Sequence, residues 1–182
     1  MSFSLCVFCG AALGAHPEFA HAARAVGTEV GRRGWTLVYG GGRVGLMGAL
    51  ADAALEAGAR VIGVIPQFLF DREVAHPGLG SLEVVESFAA RKQRMGELSD
   101  AFLSLPGGIG TLDELFEAWS WTQAGLQAKP SGLLNVAGYY DDLLRFLDRA
   151  EDDGLIRPGA RGILRASNEV CGLLDGLALN GR

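Results

Sequence analysis

Residues 106–114 combine a glycine-rich loop with side chains that can do acid–base chemistry. The stretch reads Pro-Gly-Gly-Ile-Gly-Thr-Leu-Asp-Glu and follows an apolar run ending at Leu105. Glycines let a backbone approach an anion closely, and free amides at a helix start donate to phosphate oxygens. Glu114 can serve catalysis or, with Thr111, form a T-x-x-E capping box that satisfies backbone amides only. Spacing leaves both interpretations open, and Asp113 should point about 100° away from Glu114.

The first glycine loop along the chain, GGGRVGLMG, occupies residues 40–48 and also follows an apolar run. Gly40, Gly42 and Gly45 satisfy the G-x-G-x-x-G pattern of dinucleotide-binding turns. Such sites also need a carboxylate about 20 residues later, at the end of the next strand, to hold the ribose diol. That strand ends in Ile65-Pro66, which argues against NAD or FAD. The loop therefore predicts either an anion site or a tight turn without a ligand.

Arg91 is the third candidate functional feature of the sequence. At 100° per residue it lies between Phe88, Met95 and Leu98, in the middle of an apolar helix face. A guanidinium in that position needs a partner, either a buried carboxylate in a structural ion pair or a phosphate or base at a pocket. Arg94 lies closer to the surface and is expected to be solvated.

The elements that carry these groups alternate between strands and helices. The predicted strands are Ser4–Cys9, Thr36–Tyr39, Arg60–Ile65, Leu82–Val85, Ala101–Leu105 and Gly132–Asn135. The predicted helices are Pro17–Arg33, Leu46–Ala57, Phe88–Leu98, Leu112–Ala124, Tyr139–Ala150 and Asn168–Leu177. This order predicts an α/β fold, a doubly wound Rossmann-like parallel sheet flanked by helices, as a single domain over residues 1–182. The segment Pro66–Ser81 has no clear element and is a candidate lid or pocket wall.

Composition narrows the classes of partner. The chain has 182 residues, 49% of them apolar, and a formal net charge of −5. It therefore lacks the basic surface that nucleic acid or anionic lipid would require, and no apolar run is long enough to span a membrane. We expect a cytoplasmic protein with a small ligand. Cys6 and Cys9 have C-x-x-C spacing but fall on opposite faces of a strand, and no histidine or cysteine pattern predicts a metal.

Taken together, the motifs resemble the LONELY GUY phosphoribohydrolases, a Rossmann-like family long mislabelled as lysine decarboxylases. The resemblance runs almost end to end. It includes Cys9-Gly10, GGGRVGLMG, Arg91-Lys92, PGGIGTLDE, Trp121-Thr122-Gln123 with Lys129-Pro130, and Leu134-Asn135-Val136-Ala137-Gly138-Tyr139-Tyr140. The chain departs from the family where Ala11-Ala12 replace the usual serines, where Phe88 replaces a methionine, and where Asp113 replaces a glutamate.

The resemblance implies a site and a reaction. Arg91 and Glu114 are implied to be the catalytic pair. The implied substrate-binding residues are Gly107, Gly108, Gly110 and Thr111 at the 5′-phosphate, together with Glu73, Lys92, Asp113, Gly41, Gly42, Gly45 and Met47. The implied reaction is hydrolysis of the N-glycosidic bond of an adenosine 5′-monophosphate, with or without an N6 substituent, by a homodimer that needs no cofactor.

Two other functions are alternatives to hydrolysis. A nucleotide sensor without catalytic activity would use the same glycine loops. A pyridoxal-phosphate decarboxylase would need a Schiff-base lysine, and the chain offers only Lys92 and Lys129, neither in such a setting.

Overall fold

The computed structural model describes residues 2–72 and 74–180 and contains one parallel sheet. Among these residues the strands are β1 (Ser4–Phe8), β2 (Thr36–Tyr39), β3 (Arg60–Pro66), β4 (Ser81–Val85), β5 (Ala101–Ser104), β6 (Ser131–Leu134) and β7 (Leu164–Ser167). They pair in the order β4-β3-β2-β1-β5-β6-β7, and every pairing is parallel. The predicted doubly wound Rossmann-like fold is therefore confirmed.

Helices cover both faces of this sheet. Their bounds are α1 (Pro17–Arg32), α2 (Gly45–Glu56), α3 (Gln67–Phe70), α4 (Phe88–Glu97), α5 (Ile109–Gln123), α6 (Asp141–Asp152) and α7 (Val170–Asn180), with 3-10 turns at Val136–Gly138 and Arg161–Ile163. Alternating strand residues face α1, α2 and α7 on one side and α4, α5 and α6 on the other. As predicted from their spacing, Cys9 packs on the first side and Cys6 on the second.

Close packing of α1 on α2 fixes where the first glycine loop emerges. A Cβ at Gly27 would overlap the carbonyl of Leu50, and one at Gly31 would overlap Ala57. The two helices can approach this closely only because glycine occupies both positions. Since α2 begins directly after residues 40–44, this contact sets the position of that loop.

Three sequence predictions of local structure were incomplete. Strand β7 was not predicted, because the edge strand Leu164–Ser167 has no apolar run and only Leu164 in it is buried. The segment Pro66–Ser81 contains the short helix α3, which was also missed. Helix α5 begins at Ile109, three residues before the predicted start at Leu112. Its first turn contains Gly110, and the low helix propensity of glycine hides this turn from a sequence-based prediction.

Candidate active site

The strand order reverses beside β1, so the loops that leave β1 and β5 diverge and open a crevice at the carboxyl edge of the sheet. Backbone hydrogen bonds tie these loops together. The amide of Gly10 donates to the carbonyl of Pro106 at 3.1 Å, and the amide of Leu46 donates to the carbonyl of Gly10 at 3.0 Å. The loops that follow β1, β2 and β5 therefore form one connected rim.

A cavity of about 350 Å³ lies inside this rim. The predicted site residues that line it are Gly42, Met47, Arg91, Gly108, Gly110, Thr111 and Glu114. Leu69 and Val74 from the segment between β3 and β4 form part of its wall, so of the two roles expected for this segment, lid or pocket wall, the structure shows the pocket wall. The remaining wall is mainly apolar and includes Ile65 and Phe88.

Arg91 is held in this cavity mainly by backbone carbonyls. Its side chain is buried, with Nε donating to the carbonyl of Val64 and Nη2 to the carbonyl of Gly40, each at 3.1 Å. Its Nη1 lies 3.9 Å from Glu114 Oε1. A Cβ at position 40 would overlap Nη2, so Gly40 is needed for the guanidinium to fit. Arg94, as expected, is more exposed and pairs with Glu83 and Glu97.

Glu114 faces Arg91 from α5 and is not a capping residue. Helix α5 has Gly108 at its N-cap with no side-chain cap, so Thr111 and Glu114 lie inside the helix and the capping-box interpretation is wrong. The Glu114 side chain is 13% exposed. Burial raises the pKa of its carboxyl from 4.5 to about 7, although the Arg91 guanidinium opposes the shift. The carboxyl is therefore poised to exchange a proton near neutral pH.

The second glycine loop along the chain, residues 106–110, is fixed by aromatic hydroxyls from the segment that follows β6, the neighbour of β5 in the sheet. Tyr140 Oη donates to the carbonyl of Leu105 at 2.6 Å, and Tyr139 Oη donates to the carbonyl of Gly107 at 2.7 Å. A Cβ at Gly107 would overlap the buried Thr111 side chain. The start of α5 therefore presents a preorganised backbone to the cavity, and first-turn amides of a helix favour an anion.

Several predicted binding residues do not line this cavity. Gly107 lines an adjoining cavity of about 380 Å³, which shares Gly10, Ala11 and Gly108 with the first. Gly41 and Gly45 adopt φ of 72° and 61°, so they shape the first glycine loop in a region that side chains rarely occupy.

Lys92 and Asp113 lie outside both cavities and bind each other. Lys92 Nζ lies 2.9 Å from Asp113 Oδ2 and 2.5 Å from Glu117 Oε2. Desolvation favours a lower pKa for Lys92, but hydrogen bonds to Glu117 and Asp113 outweigh it and raise the pKa. This ammonium thus links α4 to α5. Glu73 lies outside the described residues.

Sequence reasoning missed His76 and Asp52. His76 Nε2 lies 3.0 Å from Asp52 Oδ1, and the two residues are 24 positions apart. No local pattern signals such a contact. Among the described residues, no three histidine, cysteine or acidic side chains cluster as metal ligands. Within residues 2–72 and 74–180, no helix is both long and apolar enough to cross a bilayer.

The fold and the cavity define a Rossmann-like α/β protein with a candidate active site at the carboxyl edge of its sheet. Comparison with known proteins gives the family. Residues 47–177 match the family model described as "possible lysine decarboxylase". The chain belongs to this family. The family includes the cytokinin riboside 5′-monophosphate phosphoribohydrolases and is the LONELY GUY family.

Individual relatives match over most of their length. The cytokinin riboside 5′-monophosphate phosphoribohydrolases LOG1 and LOG7 of Arabidopsis thaliana are each 48% identical over 160 residues, which cover 88% of this chain and 75% and 74% of theirs. The probable enzyme LOGL3 of Oryza sativa subsp. japonica is 45% identical over 172 residues, 94% of this chain and 82% of its own.

Solved structures confirm the architecture. The Moco carrier protein of Chlamydomonas reinhardtii superimposes with a TM-score of 0.73 at 19% identity, covering 98% of this chain and 97% of that one. The molybdenum cofactor binding protein of Rippkaea orientalis gives 0.72 at 23% identity, with 98% of both chains covered. At these identities the likeness concerns the fold alone.

Proposed function

We propose that the protein hydrolyses the N-glycosidic bond of N6-substituted adenosine 5′-monophosphates, releasing the free base and ribose 5-phosphate. The observation that carries this proposal is the convergence of a buried acid and a buried guanidinium, 3.9 Å apart, on one cavity beside the start of a helix. The relatives that match at 45–48% identity over most of the chain are named for this activity.

In the reaction, water adds its oxygen to C1′ and the C1′–N bond breaks, with its electron pair leaving on the base. Positive charge develops on the ribose in the transition state, and a carboxylate near C1′ and O4′ stabilises it. Glu114 takes this role and accepts a proton from the attacking water. A pKa of about 7 suits it to do so near neutral pH. The water protons end on the new hydroxyl and on the base, and no cofactor is required.

Arg91 and the helix start supply the remaining interactions. The Nε and Nη2 atoms of Arg91 donate to backbone carbonyls, so Nη1 is the atom that contacts the phosphate or the departing base. Gly108, Gly110 and Thr111 bind the 5′-phosphate through the first turn of α5, as the family resemblance implies. Binding energy gained at the phosphate then orients the ribose toward Glu114.

The apolar wall of the cavity supports an N6-substituted base over plain AMP. Ile65, Leu69, Val74 and Phe88 are apolar, and an isopentenyl tail gains free energy by leaving water against such a surface. Hydrolysis of AMP itself, as in an AMP nucleosidase, is expected at lower kcat/KM. A nucleotide sensor is not favoured, since it gives no reason to bury Glu114 beside Arg91.

The test compares base release from AMP and from N6-isopentenyl-AMP by chromatography. Wild-type protein should release both bases, the isopentenyl base faster. Glu114→Gln should retain nucleotide binding yet reduce release by at least about 10²-fold, a typical contribution of one catalytic acid–base group. Unchanged turnover would remove Glu114 from the mechanism, and no release by wild-type protein would remove the activity.

We also propose a homodimer formed through the outer face of α5. Ile109 is 84% exposed and Phe116 is 37% exposed. They lie seven residues apart on the same side of the helix. Phe116→Ser should yield monomers in size-exclusion chromatography with light scattering, while Phe146→Ser, an exposed phenylalanine on α6, should not. A monomeric wild-type protein would contradict this proposal. The cytoplasm remains the expected compartment.

A further inference from the structure

His76 is buried in the segment between α3 and β4 and is held on both ring nitrogens. The amide of Gly78 donates to His76 Nδ1 at 3.1 Å. Because Nδ1 accepts this bond, the ring proton resides on Nε2, which lies 3.0 Å from Asp52 Oδ1 on α2. The ring is only 8% exposed, whereas the Asp52 side chain is 64% exposed. One imidazole thus joins this segment to α2.

The residues beside His76 pair with the first glycine loop. The amide of His76 donates to the carbonyl of Gly41, and the amide of Arg43 donates to the carbonyl of Val74, each at 2.9 Å. Gly42 and Ala75 form an antiparallel bridge between them. Two-residue pairing of this kind is too short to be stable by itself, so it depends on contacts at its ends. The His76 ring supplies such a contact.

This pairing builds one wall of the cavity. Gly42 and Val74 line it from the two paired segments, and Leu69 lines it from α3. We propose that His76 is a positioning residue for nucleotide binding: through Asp52 and Gly78 it holds residues 74–76 against residues 41–43, and so places Val74 against the base. This inference rests on the proposed function, and it assigns a role to a histidine that does not line the cavity.

The arrangement predicts an effect on KM with little effect on kcat. Arg91 donates to Val64, within β3, and to Gly40, directly after β2. Val64 is part of the sheet and Gly40 directly follows it, and neither residue belongs to the paired residues 41–43 and 74–76. Glu114 is carried by α5, which belongs to neither paired segment. Loosening residues 74–76 therefore disturbs the wall for the base while the catalytic pair keeps its geometry.

The experiment measures steady-state hydrolysis of N6-isopentenyl-AMP and amide hydrogen exchange of the Gly41–Arg43 and Val74–His76 segments. His76→Ala should raise KM roughly tenfold, about the factor expected for one buried hydrogen bond, with kcat within about twofold. In this variant, exchange at the backbone amides of residues 43 and 76 should accelerate by a similar factor, because these amides are the donors of the pairing.

Conservative variants separate the two contacts of the ring. In His76→Gln the side-chain amide can still donate to Asp52, and in His76→Asn the side-chain oxygen can still accept from Gly78, so each variant should recover part of the lost affinity. Asp52→Ala should raise KM about threefold in wild type, since the pair is partly exposed, and have little further effect in His76→Ala. His21→Ala, at an exposed histidine on α1, is the matched control and should change nothing.

Each result bears on the inference separately from the activity. Unchanged exchange in His76→Ala would overturn the role of His76 in the pairing, and faster exchange with unchanged KM would overturn its role in binding. If wild-type protein bound N6-isopentenyl-AMP without hydrolysing it, the proposed activity would fall and Kd would replace KM in the same comparison. If it did not bind the nucleotide, both proposals would fall.

Discussion

Replacing Glu114 by glutamine should stabilise the protein at alkaline pH. Burial raises the pKa of this carboxyl from 4.5 to about 7. Between these two values the unfolded chain loses the proton while the folded protein keeps it, so stability falls as pH rises toward 7. Glutamine resembles the protonated acid in shape and carries no charge, and it therefore avoids the cost of burying the anion.

The size of the effect follows from the shift. A rise from 4.5 to about 7 is about 2.5 pH units, and each unit corresponds to about 1.4 kcal/mol. The folded state of the wild type is therefore destabilised by about 3 kcal/mol at pH 8. At pH 5 the same carboxyl contributes about 1 kcal/mol or less, because most of the titration lies above that pH.

Urea unfolding at pH 5 and pH 8 measures this difference directly. The free energy of unfolding of Glu114→Gln minus that of wild type should be about 2–3 kcal/mol larger at pH 8 than at pH 5. Protein concentration must be the same throughout, because dimer formation would add to the apparent stability. Glu117→Gln is the matched control on the same helix. Its carboxylate binds Lys92, so its removal should not stabilise the protein at pH 8.

Two outcomes of this comparison would contradict the strain assigned to the buried Glu114 carboxyl. If Glu114→Gln changes stability by the same amount at pH 5 and pH 8, the Glu114 carboxyl is not strained by burial. If the variant is less stable than wild type at pH 8 by more than at pH 5, the attraction of Arg91 outweighs desolvation, and the acid is a structural ion-pair partner.

Three further predictions concern the same site. The kcat/KM of wild-type protein should fall as pH drops below about 7, the pKa of Glu114, because the protonated acid cannot accept a proton from water; a flat profile from pH 5.5 to 8 would contradict this. Arg91→Lys should reduce kcat at least about 10²-fold, since one ammonium cannot reproduce the planar donors directed at Val64, Gly40 and Glu114; full activity would show that charge alone suffices. Gly107→Ala should destabilise the protein by about 1–3 kcal/mol through overlap with Thr111, whereas Gly110→Ala, with open space around its Cβ position, should not; equal effects in urea unfolding would refute the packing argument.

Sequence patterns predicted those parts of the fold that depend on local chemistry. Apolar runs revealed six of the seven described strands, all but the edge strand β7. The 100° spacing of helical residues placed Arg91 on the buried face of α4. The acceptors of Arg91 could not be predicted, because Val64 and Gly40 contribute backbone carbonyls, 27 and 51 residues away. Backbone groups are the same in every residue, so no side-chain pattern reveals which of them will meet a guanidinium.

Two adjacent residues of α4, Arg91 and Lys92, face α5 in different surroundings. Arg91 and Lys92 are consecutive and point about 100° apart, so one enters the cavity and the other reaches across the outside of α5. Lys92 meets Asp113 and Glu117 at hydrogen-bonding distance, whereas Arg91 stays 3.9 Å from Glu114. The charged contact that holds the helices together is thus the outer one.

That division explains how Glu114 can be buried and still be available for its proposed role in catalysis. A charge-assisted hydrogen bond to carboxylate normally spans about 2.7–2.9 Å, and the 3.9 Å separation of Arg91 and Glu114 is clearly longer. Because Val64 and Gly40 carbonyls restrain the guanidinium, it cannot close on the acid and neutralise it fully. Glu114 therefore keeps a pKa near neutrality and oxygen lone pairs that can accept hydrogen bonds from water or substrate.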